Sequence, residues 1–149
     1  MVRWRFWQRK SLPSNDAPES RFNHNEARRY YNAKKYDLAE PFLRKLLDTK
    51  PNDDWALDVL SRLLMNTSRH EEAVPLLEML SQPGPDQSHY MLRLVRCLQN
   101  ADRISESITL LETMIYNSEI DEEGWELLQR GLKKEYDQNQ IDSFWKELA

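Results

Sequence analysis

Residues 36–47 read YDLAEPFLRKLL, residues 70–81 read HEEAVPLLEMLS and residues 104–115 read ISESITLLETMI. Each stretch begins 34 residues after the one before it, and the three align column by column. Ala39, Ala73 and Ser107 share one column. Leu43, Leu77 and Leu111 follow four residues later, and Leu46, Leu80 and Met114 three after that. Spacings of three and four put the large residues on one face of a helix, and the small residue marks where a second helix approaches closely. A fixed period of this length is the sequence signature of stacked helical repeats, each burying its apolar face against its neighbours.

The stretches between these helices keep the same period. Leu57, Leu60 and Leu64 recur as Met91, Leu94 and Leu98, then as Trp125, Leu128 and Leu132. The equivalent positions at the N-terminal end, Asn23, Glu26 and Tyr30, are more polar, as expected of a terminal repeat with one face lacking a neighbour. The register divides the chain into a tail at 1–19, repeats at 20–53, 54–87 and 88–121, and a partial fourth repeat or capping helices at 122–149. Pro41 and Pro75 align. With helices beginning near Asp37 and Glu71 they fall in the first turn, where a missing N–H costs little. Pro51 and Pro85 end the second helices.

These columns resemble the tetratricopeptide repeat family over residues 20–149: the small residue, the large residue four later and the closing proline, with Tyr30 in the first unit and Trp125 in the last. The first-helix position where the family carries glycine or alanine is Ala27, Ser61, Val95 and Gln129 here, and Glu119 stands where a third proline is expected. The resemblance implies an all-α fold, a right-handed α-solenoid of about three helix pairs plus a C-terminal capping pair. It also implies a non-catalytic protein-binding function. The segment 141–149, IDSFWKELA, supplies the closing helix through the stripe Ile141, Phe144, Trp145 and Leu148. The other reading of Trp145 is docking onto a further repeat, a further domain or a second copy.

Arg28, Arg62, Arg96 and Arg130 also recur at 34-residue intervals, with Asn32, Asn66 and Asn100 four residues after the first three and Lys134 in the fourth slot. In the family the first helix of each pair lines the concave groove, so the resemblance places this column on the ligand side. Neighbouring helices pack about 8–10 Å apart, and an extended peptide rises about 3.3 Å per residue. The ladder therefore meets every third residue of an extended acidic or phosphorylated strand, with guanidinium forks suited to carboxylate. Asparagine amides could bond the peptide backbone; alternatively they cap helix C-termini. Tyr31, Trp55, Met65, His89, Arg93 and Lys133 complete the candidate groove. The competing reading is local neutralisation. Asp58 lies one turn before Arg62 and Glu126 one turn before Arg130, whereas Arg28 and Arg96 follow His24 and Leu92. Family members that clamp a chaperone's C-terminal carboxylate use Lys and Asn; His24, Arg28, Val59, His89 and Arg93 at the matching positions do not fit that clamp.

Composition narrows the function classes. The chain has 149 residues, 31% charged and 40% hydrophobic, with a net charge of −4. That charge argues against a dedicated nucleic-acid binder. Three glycines cannot form a phosphate loop, and His24, His70 and His89 have no metal-ligand spacing with the single cysteine, Cys97. No cofactor, metal or catalytic residue is expected, and a lone cysteine fits a reducing, cytoplasmic setting. Residues 1–10 hold Arg3, Arg5, Arg9 and Lys10 among Trp4, Phe6 and Trp7. Such a segment would suit an anionic membrane surface or single-stranded nucleic acid, although a loose chain end is the simpler expectation. The function expected is an adaptor that binds an extended acidic partner segment. The alternative is a scaffolding module of a larger enzyme or complex acting on an anionic polymer, nucleic acid or polysaccharide.

Overall fold

The computed structural model describes residues 18–82, 87–117 and 119–149. The expectations for the basic tail at 1–10, the link that follows it and Pro85 lie outside those residues. Among the described residues the fold is all-α, with eight helices: α1 Pro18–Asn32, α2 Tyr36–Thr49, α3 Asp54–Asn66, α4 His70–Leu80, α5 Gln87–Asn100, α6 Ile104–Tyr116, α7 Glu122–Glu135 and α8 Gln138–Leu148. The chain divides into two compact units, Met1–Pro51 and Asn52–Ala149. None of the eight helices is long and apolar enough to cross a membrane.

In the first unit α1 packs on α2. Ala27, Ala39, Leu43 and Leu46 are buried between them. Phe42 stacks on Tyr30 with ring centroids 5.8 Å apart and meets Phe22 edge-on at 6.2 Å.

In the second unit each helix from α3 to α8 packs on the next, and α5 also meets α7. This is the helix-pair solenoid that the period demands. The three small residues Ala39, Ala73 and Ser107 are each wholly buried, as are Leu43, Leu77 and Leu111, so both columns face the interior of their own units. Ala27, Ser61 and Val95 are equally buried, whereas Gln129, the fourth member of that column, is exposed. A core cluster built around Val95, Leu111, Met114, Leu128 and Leu132 binds α5, α6 and α7, and Ile141, Phe144 and Trp145 of α8 pack against it. No residue of α8 is fully buried.

The turns inside the repeats follow one pattern. Lys34, Ser68 and Asp102 adopt positive φ of 56°, 60° and 64°, and they are one period apart. The residue after each donates its N–H back to the helix: Lys35 to the Tyr30 carbonyl at 2.9 Å, Arg69 to Leu64 at 2.8 Å and Arg103 to Leu98 at 2.9 Å. A left-handed residue followed by this long return bond is the usual way to close a helix C-terminus, and glycine is the usual occupant. This chain closes all three without one. Asn32, Asn66 and Asn100 are the last residues of α1, α3 and α5, two positions before the left-handed residue, so they are not the residues that take it.

One expectation is corrected here. The second helices start at Tyr36 and His70, which makes Pro41 and Pro75 their sixth residues rather than first-turn residues. Each therefore leaves a carbonyl one turn back, on Asp37 and Glu71, without its intrahelical N–H. Both prolines are exposed, so water can reach that side of the helix.

Candidate ligand-binding face

Two helices that matter for the face are started by aspartate. Asp53 accepts from the Ala56 N–H at 3.0 Å to open α3, and Asp121 accepts from the Gly124 N–H at 2.9 Å to open α7. These caps fix where the helices begin and hence which residues point outward. Along α3, α5 and α7 the inward side carries the buried Leu60, Leu94 and Leu128. Arg62, Arg96 and Arg130, two residues further on, are all exposed. In the first unit Arg28 is likewise exposed on α1.

The arginines of the second unit differ in their partners. Arg62 pairs with Asp58 one turn earlier, Nη2 to Oδ2 at 2.7 Å, as the spacing predicts. Arg96 does not stand apart, as its own helix suggests it should. It reaches Glu123 on α7, Nη2 to Oε1 at 2.5 Å, with both side chains about half exposed (43% each). Arg130, in contrast, makes no ion pair among the described residues, and Glu126 does not take the role its spacing suggests. Lys134 bonds Asp102 at 2.6 Å. That contact holds the Asp102 carboxyl below its ordinary range, chiefly through the lysine hydrogen bond.

Asp58 is shared. Its Oδ1 also accepts from Arg93 Nη1 of α5 at 2.5 Å, while Arg93 Nη2 bonds Ser61 Oγ at 3.1 Å and the guanidinium lies 5.6 Å from the Tyr90 ring centroid. Arg93 is only 6% exposed. It therefore acts as a buried strut between α3 and α5, and its charge is not presented to solvent.

The remaining candidates are scattered in kind. Tyr31 is half-buried against Tyr36, with centroids 5.7 Å apart. Trp55 is half-buried at the second position of α3. His89 is exposed on α5 with its ring 5.6 Å from that of Tyr90. Asn32, Asn66 and Asn100 are exposed at helix ends, Met65 is half-buried and Lys133 is exposed.

Glu123 and Asp102 were not legible as parts of this face from local spacing, because each pairs with a residue of an adjacent helix pair. A weak signal exists. Asp102 precedes Lys134 by 32 residues, and Glu71 precedes Arg103, its partner at 3.4 Å, by the same 32. An interval two short of the period is what joins the edges of adjacent repeats.

The family model of the tetratricopeptide repeat matches residues 30–93. Residues 30–93 belong to the tetratricopeptide repeat family. The tetratricopeptide match includes Arg62, Asp58 and the buried Arg93, and it ends before Arg96. The same period continues through α5, α6 and α7 in the solenoid beyond it. No curated protein matches the chain. Tetratricopeptide repeats generally mediate protein–protein interaction. Among the described residues no group of three or more His, Cys, Asp or Glu side chains is placed to hold a metal ion. Cys97 is buried, with its Sγ 3.1 Å from the His70 carbonyl, and burial raises the thiol to about 11.

Proposed function

We propose that the protein is a non-catalytic adaptor that binds an extended, acidic segment of a partner protein along the exposed face of α3, α5 and α7. Arg62, Arg96 and Arg130 would contact its carboxylates, and Arg28 would do the same on the first unit. The observation that carries this reading is the shared exposure of three arginines, one period apart, on helices whose opposite sides are buried.

Charge argues for a short segment and against a long polyanion. Residues 52–149 contain nine Lys and Arg against nineteen Asp and Glu, a net of −10. Such a field repels nucleic acid, whose binding depends on many simultaneous phosphate contacts. A few partner carboxylates face a smaller obstacle. They need only compete with Asp58 at Arg62 and exchange with Glu123 at Arg96, and an exposed pair such as Arg96–Glu123 is worth about 0–1 kcal/mol. Arg93 is excluded from the contact set because its bonds to Asp58 and Ser61 are buried.

The experiment is titration of an acidic peptide against the whole chain and an Arg96→Glu, Arg130→Glu variant. Binding that weakens with salt and is lost in the variant supports the reading. Equal binding by both folded proteins rejects it.

A further inference from the structure

Between α7 and α8 lies a cavity of about 240 Å³ lined by Gln129, Leu132, Lys133, Gln138, Ile141 and Trp145. Its floor is apolar. Leu132 is buried and anchored in the core, while Ile141 and Trp145 are half-buried against the same core. Trp145 is held in place by neighbouring rings, 6.0 Å from Trp125 and 5.5 Å from Phe144. The rim is polar: Gln129, Lys133 and Gln138 are all exposed. Ligand pockets for whole small molecules run to about 300–1,000 Å³. A space of this size suits one large aliphatic or aromatic side chain.

The position of the slot is informative. Arg130 follows Gln129, and Lys133 is three residues further, so the two cations are neighbours on the helix surface. Among the described residues neither makes an ion pair, whereas Arg62, Arg96 and Lys134 are all held by carboxylates of the protein itself. Among the described residues, Arg130 and Lys133 are thus two of the three exposed cations of the second unit with no internal counter-ion, the third being Lys146 on α8, and these two sit beside its apolar slot. A segment with acidic residues on either side of a large apolar one would match both features at once. The acids would meet Arg130 and Lys133, and the apolar side chain would leave water over Trp145 and Ile141.

We infer that the slot between α7 and α8 is an anchor pocket that takes one large apolar side chain from an acidic partner segment. This rests on the proposed function and adds to it the partner's required residue. An acid-only segment would be held weakly, and the anchor would set its register.

The test uses the whole chain and two end-capped probes, an oligoglutamate peptide and the same peptide with one central leucine. Calorimetry on the wild type should show the leucine peptide binding about tenfold tighter, the effect of largely desolvating one such side chain. Gln129→Trp covers the mouth of the slot from an exposed position. It should abolish the difference and leave oligoglutamate binding unchanged, whereas Arg130→Glu should weaken both peptides. Equal affinities in the wild type, or a difference that survives Gln129→Trp, would overturn the anchor while leaving the cationic face intact. Failure of both peptides to bind would overturn both readings. Self-association that Gln129→Trp abolishes, without discrimination between peptides, would give the slot to a second copy and likewise overturn the proposal.

Discussion

Arg93 on α5 and Asp58 on α3 are joined by a 2.5 Å bond in which the arginine is almost fully buried. The two residues are 35 apart and tie two successive repeats together. Charges removed from water are retained only when paired and bonded, and Arg93 satisfies this through Asp58, Ser61 and the Tyr90 ring.

Breaking that strut should be costly. Arg93→Ala leaves Asp58 with Arg62 alone and opens a cavity, and loss of one partner of a buried pair costs about 3–5 kcal/mol. Arg93→Met keeps most of the volume and should cost clearly less. Urea denaturation of both variants checks this, and equal, small losses would show that the pair contributes nothing.

Ser68 holds a φ of 60° that side chains resist. Ser68→Gly should raise stability by up to about 1 kcal/mol, since glycine relieves the left-handed strain and offsets part of that gain by its greater unfolded freedom. Ser68→Val should lower it by at least as much. Thermal melts of the two variants should move in opposite directions.

Gly124 lies in the first turn of α7, where alanine ordinarily favours a helix over glycine. An added Cβ there would come within 2.6 Å of Ile120 Cγ1 and 3.4 Å of Leu92 Cδ2. Overpacking should win over propensity, so Gly124→Ala should lose about 1–3 kcal/mol. A gain in the denaturation midpoint would contradict this.

Cys97 should be inert toward thiol reagents in the folded protein, because burial, reinforced by Glu71, raises its thiol to about 11. A raised folded value means that the native state keeps its proton longer than the unfolded chain. The stability from the neutral thiol is therefore complete below about 9 and is lost as pH rises toward 11. Denaturation midpoints of the wild type should fall more steeply across that window than those of Cys97→Ala.

The helix pairs were legible because the buried columns repeat at a fixed interval, and a period in hydrophobic and small residues is a direct record of packing. Leu43, Leu77 and Leu111 illustrate this, each wholly buried as its column implies. The proline positions were not legible to the same precision. The left-handed turn residues Lys34 and Ser68 let each second helix begin a residue earlier than assumed, which carries Pro41 and Pro75 past the first turn. The exposed arginines were legible as a column, but their partners were not. Local spacing finds Asp58 for Arg62 and cannot find Glu123 for Arg96, which arrives from the next repeat. Nor does spacing separate Arg93, buried and bonded, from the exposed Arg96 three residues later. That difference is made by Asp58 and Ser61 on another helix.

The central claim is that exposed arginines of α5 and α7 bind acidic partner segments, and a direct binding measurement tests it. An acidic peptide should be titrated into the wild type and into the Arg96→Glu, Arg130→Glu variant, at low and at moderate salt, after circular dichroism shows equal helicity. The account predicts salt-sensitive binding by the wild type and at least about a tenfold loss in the variant, equivalent to about 1.4 kcal/mol. Unchanged affinity in the variant would contradict it.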